Sequence, residues 1–132
     1  MAAQRLIEYE NAPAEVRIVY DDIRATRQTD FINNFWKALA NDPATLQRTW
    51  ESIKQIMAPG ALDALTKELL YIAVSVSNQC PYCIASHTAS ATSKGMTPEM
   101  FHELMAVVGM ANETNRLAAG YRVEIDEQFL AG

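Results

Sequence analysis

The stretch LTKELLYIAVSVSNQCPYCIASH, residues 65–87, contains the longest apolar run of the chain and both of its cysteines. From Leu62 to Val76, apolar residues cover most of the circumference of a helix, as expected for a helix that is buried on several sides. The polar residues 77–79 interrupt this pattern, and Pro81 suits the first turn of a new helix. The stretch therefore predicts a central helix followed by a helix that carries the cysteines.

Helical spacing of apolar residues continues on both sides of this stretch, and no segment shows sustained strand alternation. The predicted apolar stripes are Val16, Val19, Tyr20 and Ile23 after Pro13; Phe31, Phe35, Ala38 and Leu39; Leu46, Trp50, Ile53 and Met57 between Asp42-Pro43 and Pro59-Gly60; and Phe101, Leu104, Met105 and Val108 after Gly95 and Thr97-Pro98. A chain of 132 residues, 49% of them hydrophobic, can build one core. We therefore expect an all-α fold: a single compact helical domain of about six helices over residues 1–132, with an irregular tail after Gly120.

Charge and composition exclude several classes of partner. The net charge is −5 and the basic residues are scattered singly, so nucleic acid is not an expected partner. The N-terminus has no apolar segment typical of a secretory signal, and the run of residues 69–74 is far shorter than the roughly 20 residues that span a bilayer. We expect a cytoplasmic protein with no membrane partner. In that reducing compartment, a lone C-x2-C indicates a redox pair or half of a metal site rather than a structural disulfide.

Cys80, Cys83 and His87 share one face of the second helix. Their spacings of three and four residues place them within about 60° of each other at 3.6 residues per turn. The helix N-terminus favours an ionised Cys80, whereas a histidine four residues further on favours an ionised Cys83. These effects leave the order of reactivity open, and the spacing permits a disulfide between the two cysteines.

Glu68 is a carboxylate within the strongly apolar central helix. In one interpretation it lies at the edge of that helix and pairs with Lys67, Arg48 or Lys94 at the surface. In the other, the break at residues 77–79 lets the cysteine helix fold back, so that Glu68 packs beside His87. The second arrangement would build a series of carboxylate, imidazole and thiol.

Four residues in the order E-x11-C-x2-C-x3-H resemble the signature of the alkylhydroperoxidase D and carboxymuconolactone decarboxylase superfamily; they are Glu68, Cys80, Cys83 and His87. The segment PGALDALTKELLYIAVSVSNQCPYCIASHTASATSKGM, residues 59–96, resembles the core of that family, and FWKALANDP, residues 35–43, resembles its upstream segment. The resemblance extends over residues 31–108.

This resemblance implies a helical peroxidase subunit that uses no haem, flavin or metal and forms homo-oligomers, as trimers or hexamers. The second cysteine of the motif, Cys83, would attack hydrogen peroxide or an organic hydroperoxide, and Cys80 would resolve the product as a disulfide. His87 and Glu68 would form the proton relay, and an external dithiol, such as a thioredoxin-like or lipoyl protein, would reduce the disulfide. The chain departs from the family pattern at Tyr82, where a histidine is usual, so Tyr82 would have an auxiliary role.

Other interpretations of the same residues stay open. A zinc site could use Cys80, Cys83 and His87, completed by His102 or Glu68, although structural zinc motifs usually draw ligands from two separate segments. A thioredoxin-like role lacks the expected βαβ pattern, and in a decarboxylase the cysteine pair would have no evident task.

A non-enzymatic helical oligomer with cysteines as buried apolar fillers is the remaining alternative. Large apolar residues that a small subunit would not fully cover favour self-association, and we expect Trp36, Trp50 and Phe129 to be among them. Trp36 and Trp50 are interpreted as anchors either of packing or of an interface.

Overall fold

The structure, a computed structural model, describes residues 3–131. Helices are the regular structure of this part of the chain, and it contains no strand. The all-α prediction is therefore confirmed. The chain divides into two compact units, Met1–Ala58 and Pro59–Gly132. That residues 1–132 form a single domain stays a prediction.

The first unit consists of a 3₁₀ turn and three helices around one apolar core. The turn is Tyr9–Asn11, and the helices are α1 (Ala14–Arg27), α2 (Asn34–Leu39) and α3 (Pro43–Met57). The predicted stripe of α1 is buried in full; it consists of Val16, Val19, Tyr20 and Ile23. The buried hydroxyl of Tyr20 donates a hydrogen bond of 2.8 Å to the carbonyl of Ile7, which anchors the segment before the turn.

In this unit, the structure selects the packing role for Trp36 and Trp50, and the prediction for Phe31 is wrong. Trp36 and Trp50 are each only 2% exposed and meet edge to face with ring centroids 5.5 Å apart, so they fill the core instead of forming an interface. Phe31 precedes α2 and is 66% exposed. Ile32 and Trp36 occupy the buried face instead, because the helix begins three residues after Phe31 and its register differs from the predicted stripe.

The second unit contains α4 (Ala64–Ser77), α5 (Pro81–Ser93), α6 (Pro98–Gly120) and α7 (Glu127–Leu130). Helix α4 packs against α5 and α6 around Ile72, Ala91 and Met96. The small side chain of Ala91 is fully buried, which allows α5 to approach closely. The prediction that α4 is buried on several sides is wrong, since Leu70 and Val74 are 51% and 59% exposed.

The connection between α4 and α5 places the first cysteine. The backbone N–H of Gln79 donates to the carbonyl of Val76 at 3.1 Å, and that of Cys80 donates to the carbonyl of Ser75 at 3.0 Å. These two bonds form the Schellman arrangement that ends many helices, with Gln79 in the left-handed region at φ 57°. Cys80 is thus attached to the end of α4 and is also the N-cap of α5, as its position before Pro81 predicts.

A second turn of this kind ends α5. The backbone N–H of Met96 donates to the carbonyl of Ala91 at 2.9 Å, and Gly95 takes φ 107°, which suits a residue without a Cβ. Lys94 is consequently the C-cap of α5, where a positive charge interacts favourably with the helix dipole.

The C-terminal segment differs from its prediction at one point. Residues 121–126 are irregular, as predicted, but the chain then forms the short helix α7, whose Phe129 is 79% exposed. Within residues 3–131, every helix is too short or too polar to traverse a lipid bilayer.

Candidate active site

The two cysteines lie at the N-terminus of α5 and are joined to each other. Cys80 and Cys83 form a disulfide, with their Cα atoms 5.4 Å apart. The Sγ atom of Cys80 also accepts a hydrogen bond of 3.4 Å from the backbone N–H of Cys83. Tyr82, between them, is 43% exposed. Both cysteines are half-buried, and the Tyr82 side chain beside them is exposed. They lie at the N-terminal end of α5, where the helix dipole favours negative charge.

Glu68 and His87 meet between α4 and α5. Glu68 is only 5% exposed, and its Oε2 lies 2.8 Å from Nδ1 of His87. An ionised carboxylate only accepts hydrogen bonds, so Nδ1 of His87 carries a proton. In the neutral imidazole this leaves Nε2 as the nitrogen that can accept a proton, which is the form a general base requires. The arrangement in which Glu68 packs beside His87 is the one observed.

The second oxygen of the Glu68 carboxylate faces the end of α5. The hydroxyl of Ser90 donates to Oε1 of Glu68 at 3.1 Å, and Nζ of Lys94 lies 3.5 Å from the same oxygen. Nζ of Lys94 also donates to Oγ of Ser90 at 2.7 Å. The buried carboxylate thus has partners on both oxygens, as a charge in such a position requires.

The environment of Glu68 favours its charged form. Burial raises the pKa of the carboxyl, but the hydrogen bond from His87, the charges of His87 and Lys94 and the hydrogen bond from Ser90 act in the opposite direction. Their combined effect is larger, so the pKa of Glu68 is lowered from its usual 4.5. Glu68 is therefore an anion at neutral pH.

Tyr71 is a part of this site that the sequence analysis did not identify. Its ring stacks on the imidazole of His87, with centroids 3.7 Å apart and planes inclined by 20°. Tyr71 follows Glu68 by three residues on α4, a spacing that places both side chains on one helix face. That spacing is the signal that could have revealed it. Ser90 could have been found in the same way, three residues after His87. Lys94 was among the partners that the sequence suggested for Glu68, and it is one of the residues that the structure brings to the carboxylate.

The site thus contains two pairs: the Cys80–Cys83 disulfide at the start of α5 and the Glu68–His87 pair between α4 and α5. Cys83 lies four residues, about one helical turn, before His87. In the described part of the chain, with the disulfide formed, His87 has no hydrogen bond to either cysteine. Residues 3–131 also contain no group of three or more histidine, cysteine, aspartate or glutamate side chains arranged to hold a metal ion. The catalytic roles of Glu68, Cys80, Cys83 and His87 stay a prediction.

Comparison with known proteins identifies the family. Residues 43–123 match the model of the carboxymuconolactone decarboxylase family. The chain is 39% identical over 66 residues to uncharacterized protein 4 in the cox locus of Paracoccus denitrificans, covering 50% of this chain and 57% of that protein. It is 26% identical over 105 residues to an (R)-2-haloacid dehalogenase of Pseudomonas putida, covering 80% of this chain and 35% of that protein. The chain thus spans about half and about a third of the length of these two curated relatives.

A solved structure matches over the whole chain. The crystal structure of an alkylhydroperoxidase AhpD core from Rhodospirillum rubrum has 50% sequence identity and a TM-score of 0.94, and the match covers 100% of this chain and 99% of that one. The fold is therefore that of an alkylhydroperoxidase core, and the likeness fits an oxidoreductase-type enzyme at the level of the family. Together with the match of residues 43–123, it establishes that the chain belongs to the carboxymuconolactone decarboxylase family, on its alkylhydroperoxidase-like side.

Proposed function

We propose that this protein is a thiol-dependent peroxidase that reduces hydrogen peroxide or small organic hydroperoxides through the Cys80 and Cys83 pair. The observation that carries the proposal is the hydrogen bond of 2.8 Å between the buried Glu68 and His87, about one helical turn from a disulfide. A structural disulfide has no need of a buried carboxylate and imidazole beside it. A thiol that must lose its proton at neutral pH does benefit from such a pair.

The proposed reaction begins with the reduced dithiol. His87 accepts the proton of Cys83 at Nε2, and the Cys83 thiolate attacks one peroxide oxygen. The O–O bond breaks, Cys83 becomes a sulfenic acid, and the departing alkoxide or hydroxide takes up the proton to leave as alcohol or water. The Cys80 sulfur then attacks the sulfenic acid, forming the disulfide and releasing water.

An external dithiol completes the cycle by exchange, becoming a disulfide as Cys80 and Cys83 regain two electrons and two protons. A reducing compartment such as the cytoplasm would supply it, as a thioredoxin-like or lipoyl protein. Tyr82, exposed between the cysteines, would contact the incoming peroxide or reductant in an auxiliary role.

Peroxide consumption with a panel of dithiols, combined with trapping of the intermediate, tests the function. In Cys80→Ser, peroxide should leave a sulfenic acid on Cys83 that a dimedone probe labels, because no resolving thiol remains. Cys83→Ser should show neither labelling nor turnover. Cys80 labelled in Cys83→Ser would reverse the order of the two cysteines, and an unreactive parent with every dithiol would leave only a structural role for the pair.

We also propose that the subunit forms a homo-oligomer, as a trimer or hexamer. Apolar side chains of the C-terminal segment that are more than half exposed support this; they are Leu117, Tyr121, Val123, Ile125, Phe129 and Leu130. Large exposed apolar surfaces commonly mark sites of contact between proteins. Light scattering at micromolar concentration should give a multiple of the mass of one chain, and the paired change Phe129→Ser and Leu130→Ser should reduce it. A parent that is monomeric under these conditions would contradict self-association.

A further inference from the structure

We propose that Ser90 and Lys94 are positioning residues that hold the Glu68 carboxylate in the orientation in which one of its oxygens is committed to His87. The catalytic importance of this arrangement rests on the proposed function, but the effect of Ser90 and Lys94 on the Glu68 carboxylate can be measured without peroxide. Both residues lie at the C-terminal end of α5, whereas the cysteines lie at its N-terminal end.

The direction of each hydrogen bond follows from the donors available. The Lys94 ammonium has only donors, so Oγ of Ser90 must accept the bond of 2.7 Å between them. The single hydroxyl proton of Ser90 is then directed to Oε1 of Glu68, at 3.1 Å. Because Oε1 is engaged in this way, Oε2 faces His87. Lys94 thus orients Ser90, and Ser90 orients Glu68.

Lys94 also acts on Glu68 through its charge. The distance of 3.5 Å between Nζ of Lys94 and Oε1 of Glu68 is long for a direct hydrogen bond. It is short enough for a substantial electrostatic attraction, because the Glu68 side chain is only 6% exposed. The Lys94 side chain is itself 38% exposed, so water screens part of this attraction. The charge lowers the pKa of Glu68, after the larger effects of burial, which raises it, and of His87, which lowers it.

The charged groups that lower the pKa of Glu68, His87 and Lys94, both lie on α5. Lys94 forms an ion pair with Glu68, and His87 does so when its imidazole is protonated. Helix α6, which also packs on α4, carries Glu99, His102 and Glu103 in its first two turns. These three side chains are exposed, and none of them has a hydrogen bond or ion pair with Glu68 in the described part of the chain.

The test is a direct titration of the Glu68 carboxyl by NMR in protein labelled with ¹³C at the glutamate carboxyl carbon. The resonance is assigned by its loss in Glu68→Gln. Four variants are compared: Lys94→Gln, Lys94→Arg, Ser90→Ala and Lys37→Gln. Lys37→Gln is the control, because it also removes one positive charge, from the ion pair that Lys37 forms with Glu8 in the other unit.

Glu68 should titrate at higher pH in Lys94→Gln and in Ser90→Ala than in the parent, because each change removes a group that stabilises the anion. Lys94→Arg and Lys37→Gln should match the parent. A Glu68 titration that moves in neither Lys94→Gln nor Ser90→Ala overturns the proposal, and so does an equal movement in Lys37→Gln, which would indicate an effect of net charge alone.

The rate of single-turnover oxidation of the dithiol by peroxide connects this titration to the reaction. Ser90→Ala should be about threefold to tenfold slower than the parent, as expected from partial loss of a hydrogen bond to a charged group. If the parent does not consume peroxide, the proposed function fails while the titration still decides the role of Ser90 and Lys94. If the parent is active but the titration does not move, the positioning role alone fails.

Discussion

The ring of Tyr71 lies nearly parallel to the imidazole of His87, 3.7 Å away between centroids. Glu68, one turn earlier on α4, binds Nδ1 of the same imidazole at 2.8 Å. One face of α4 thus restrains the imidazole of His87 in two ways: Tyr71 contacts the face of the ring, and Glu68 binds a nitrogen at its edge. Such preorganisation matters because a general base must be aligned with the proton that it removes.

Tyr71→Leu should therefore slow single-turnover oxidation of Cys83, by about twofold to tenfold if the stacked pair contributes the usual 0.5–1.5 kcal/mol. Tyr71→Phe preserves the ring and should match the parent. The measurement is rapid-mixing kinetics of the reduced protein with peroxide at neutral pH. Equal rates in Tyr71→Leu and the parent would show that the stack does not orient His87, and a slow Tyr71→Phe would indicate that the hydroxyl is needed.

Local chemistry explains why much of the fold was predictable. Asp42-Pro43, Cys80-Pro81 and Thr97-Pro98 each mark a helix start where the structure has one, since proline at the first position suits a helix N-terminus. The break after Ser77 was visible as polar residues. This break made the approach of Glu68 to His87 one of two possible arrangements, because it allows the cysteine helix to fold back on α4.

Features that depend on packing between distant segments could not be predicted in this way. Trp36 and Trp50 were interpreted as anchors of packing or of an interface, and helical spacing could not decide because it does not reveal that the two rings contact each other across α2 and α3. Nothing in the sequence distinguished Ser90 from the other small residues of α5. Its role depends on the direction in which Glu68 points, and that direction is known only when both helices are in place.

The left-handed conformation of Gln79 predicts an effect on stability. At φ 57°, a residue with a Cβ atom destabilises the folded state by roughly 1–2 kcal/mol. Glycine avoids this strain, but the greater conformational entropy of its unfolded state lowers the free energy of unfolding by about 0.4–1 kcal/mol. Gln79→Gly should therefore raise the free energy of unfolding by roughly 0.5–1 kcal/mol, and Gln79→Val should lower it, because a branched side chain tolerates this region poorly. Urea unfolding of the reduced proteins provides the comparison. A destabilised Gln79→Gly would mean that the side chain of Gln79 has a contact worth more than the strain.

The lowered pKa of Glu68 predicts a dependence of stability on pH. A carboxyl whose pKa is lower in the folded than in the unfolded state stabilises the fold above the unfolded value of 4.5, and this contribution disappears as the pH falls through the folded pKa. The free energy of unfolding should thus decline more steeply between pH 5 and pH 2 in the parent than in Glu68→Gln. Glu103→Gln, an exposed change on α6 with the same loss of charge, should follow the parent. Parallel curves for the parent and Glu68→Gln would contradict the lowered pKa.

The role of Glu68 in proton transfer distinguishes an activated thiol from a simple dithiol. If Glu68 orients His87 and stabilises it while it accepts the Cys83 proton, Glu68→Gln removes the charge with little change of shape. A general base typically contributes about 10²–10⁴-fold, so peroxide-dependent oxidation of Cys83 at neutral pH should fall at least about tenfold. Much of the rate should return at high pH, where solvent ionises the thiol without help.

His87→Ala should behave like Glu68→Gln, and the double variant should be little slower than either, because residues that act as one relay are not additive. The measurement is the pH profile of single-turnover disulfide formation in the parent, the two single variants and the double variant, with Glu103→Gln as the control for charge. The circular dichroism spectrum should be the same in all five proteins, since neither Glu68→Gln nor His87→Ala removes a residue of the apolar core. If folded Glu68→Gln reacts as fast as the parent at neutral pH, Glu68 is a structural charge, and His87 must then accept the proton without it or not at all.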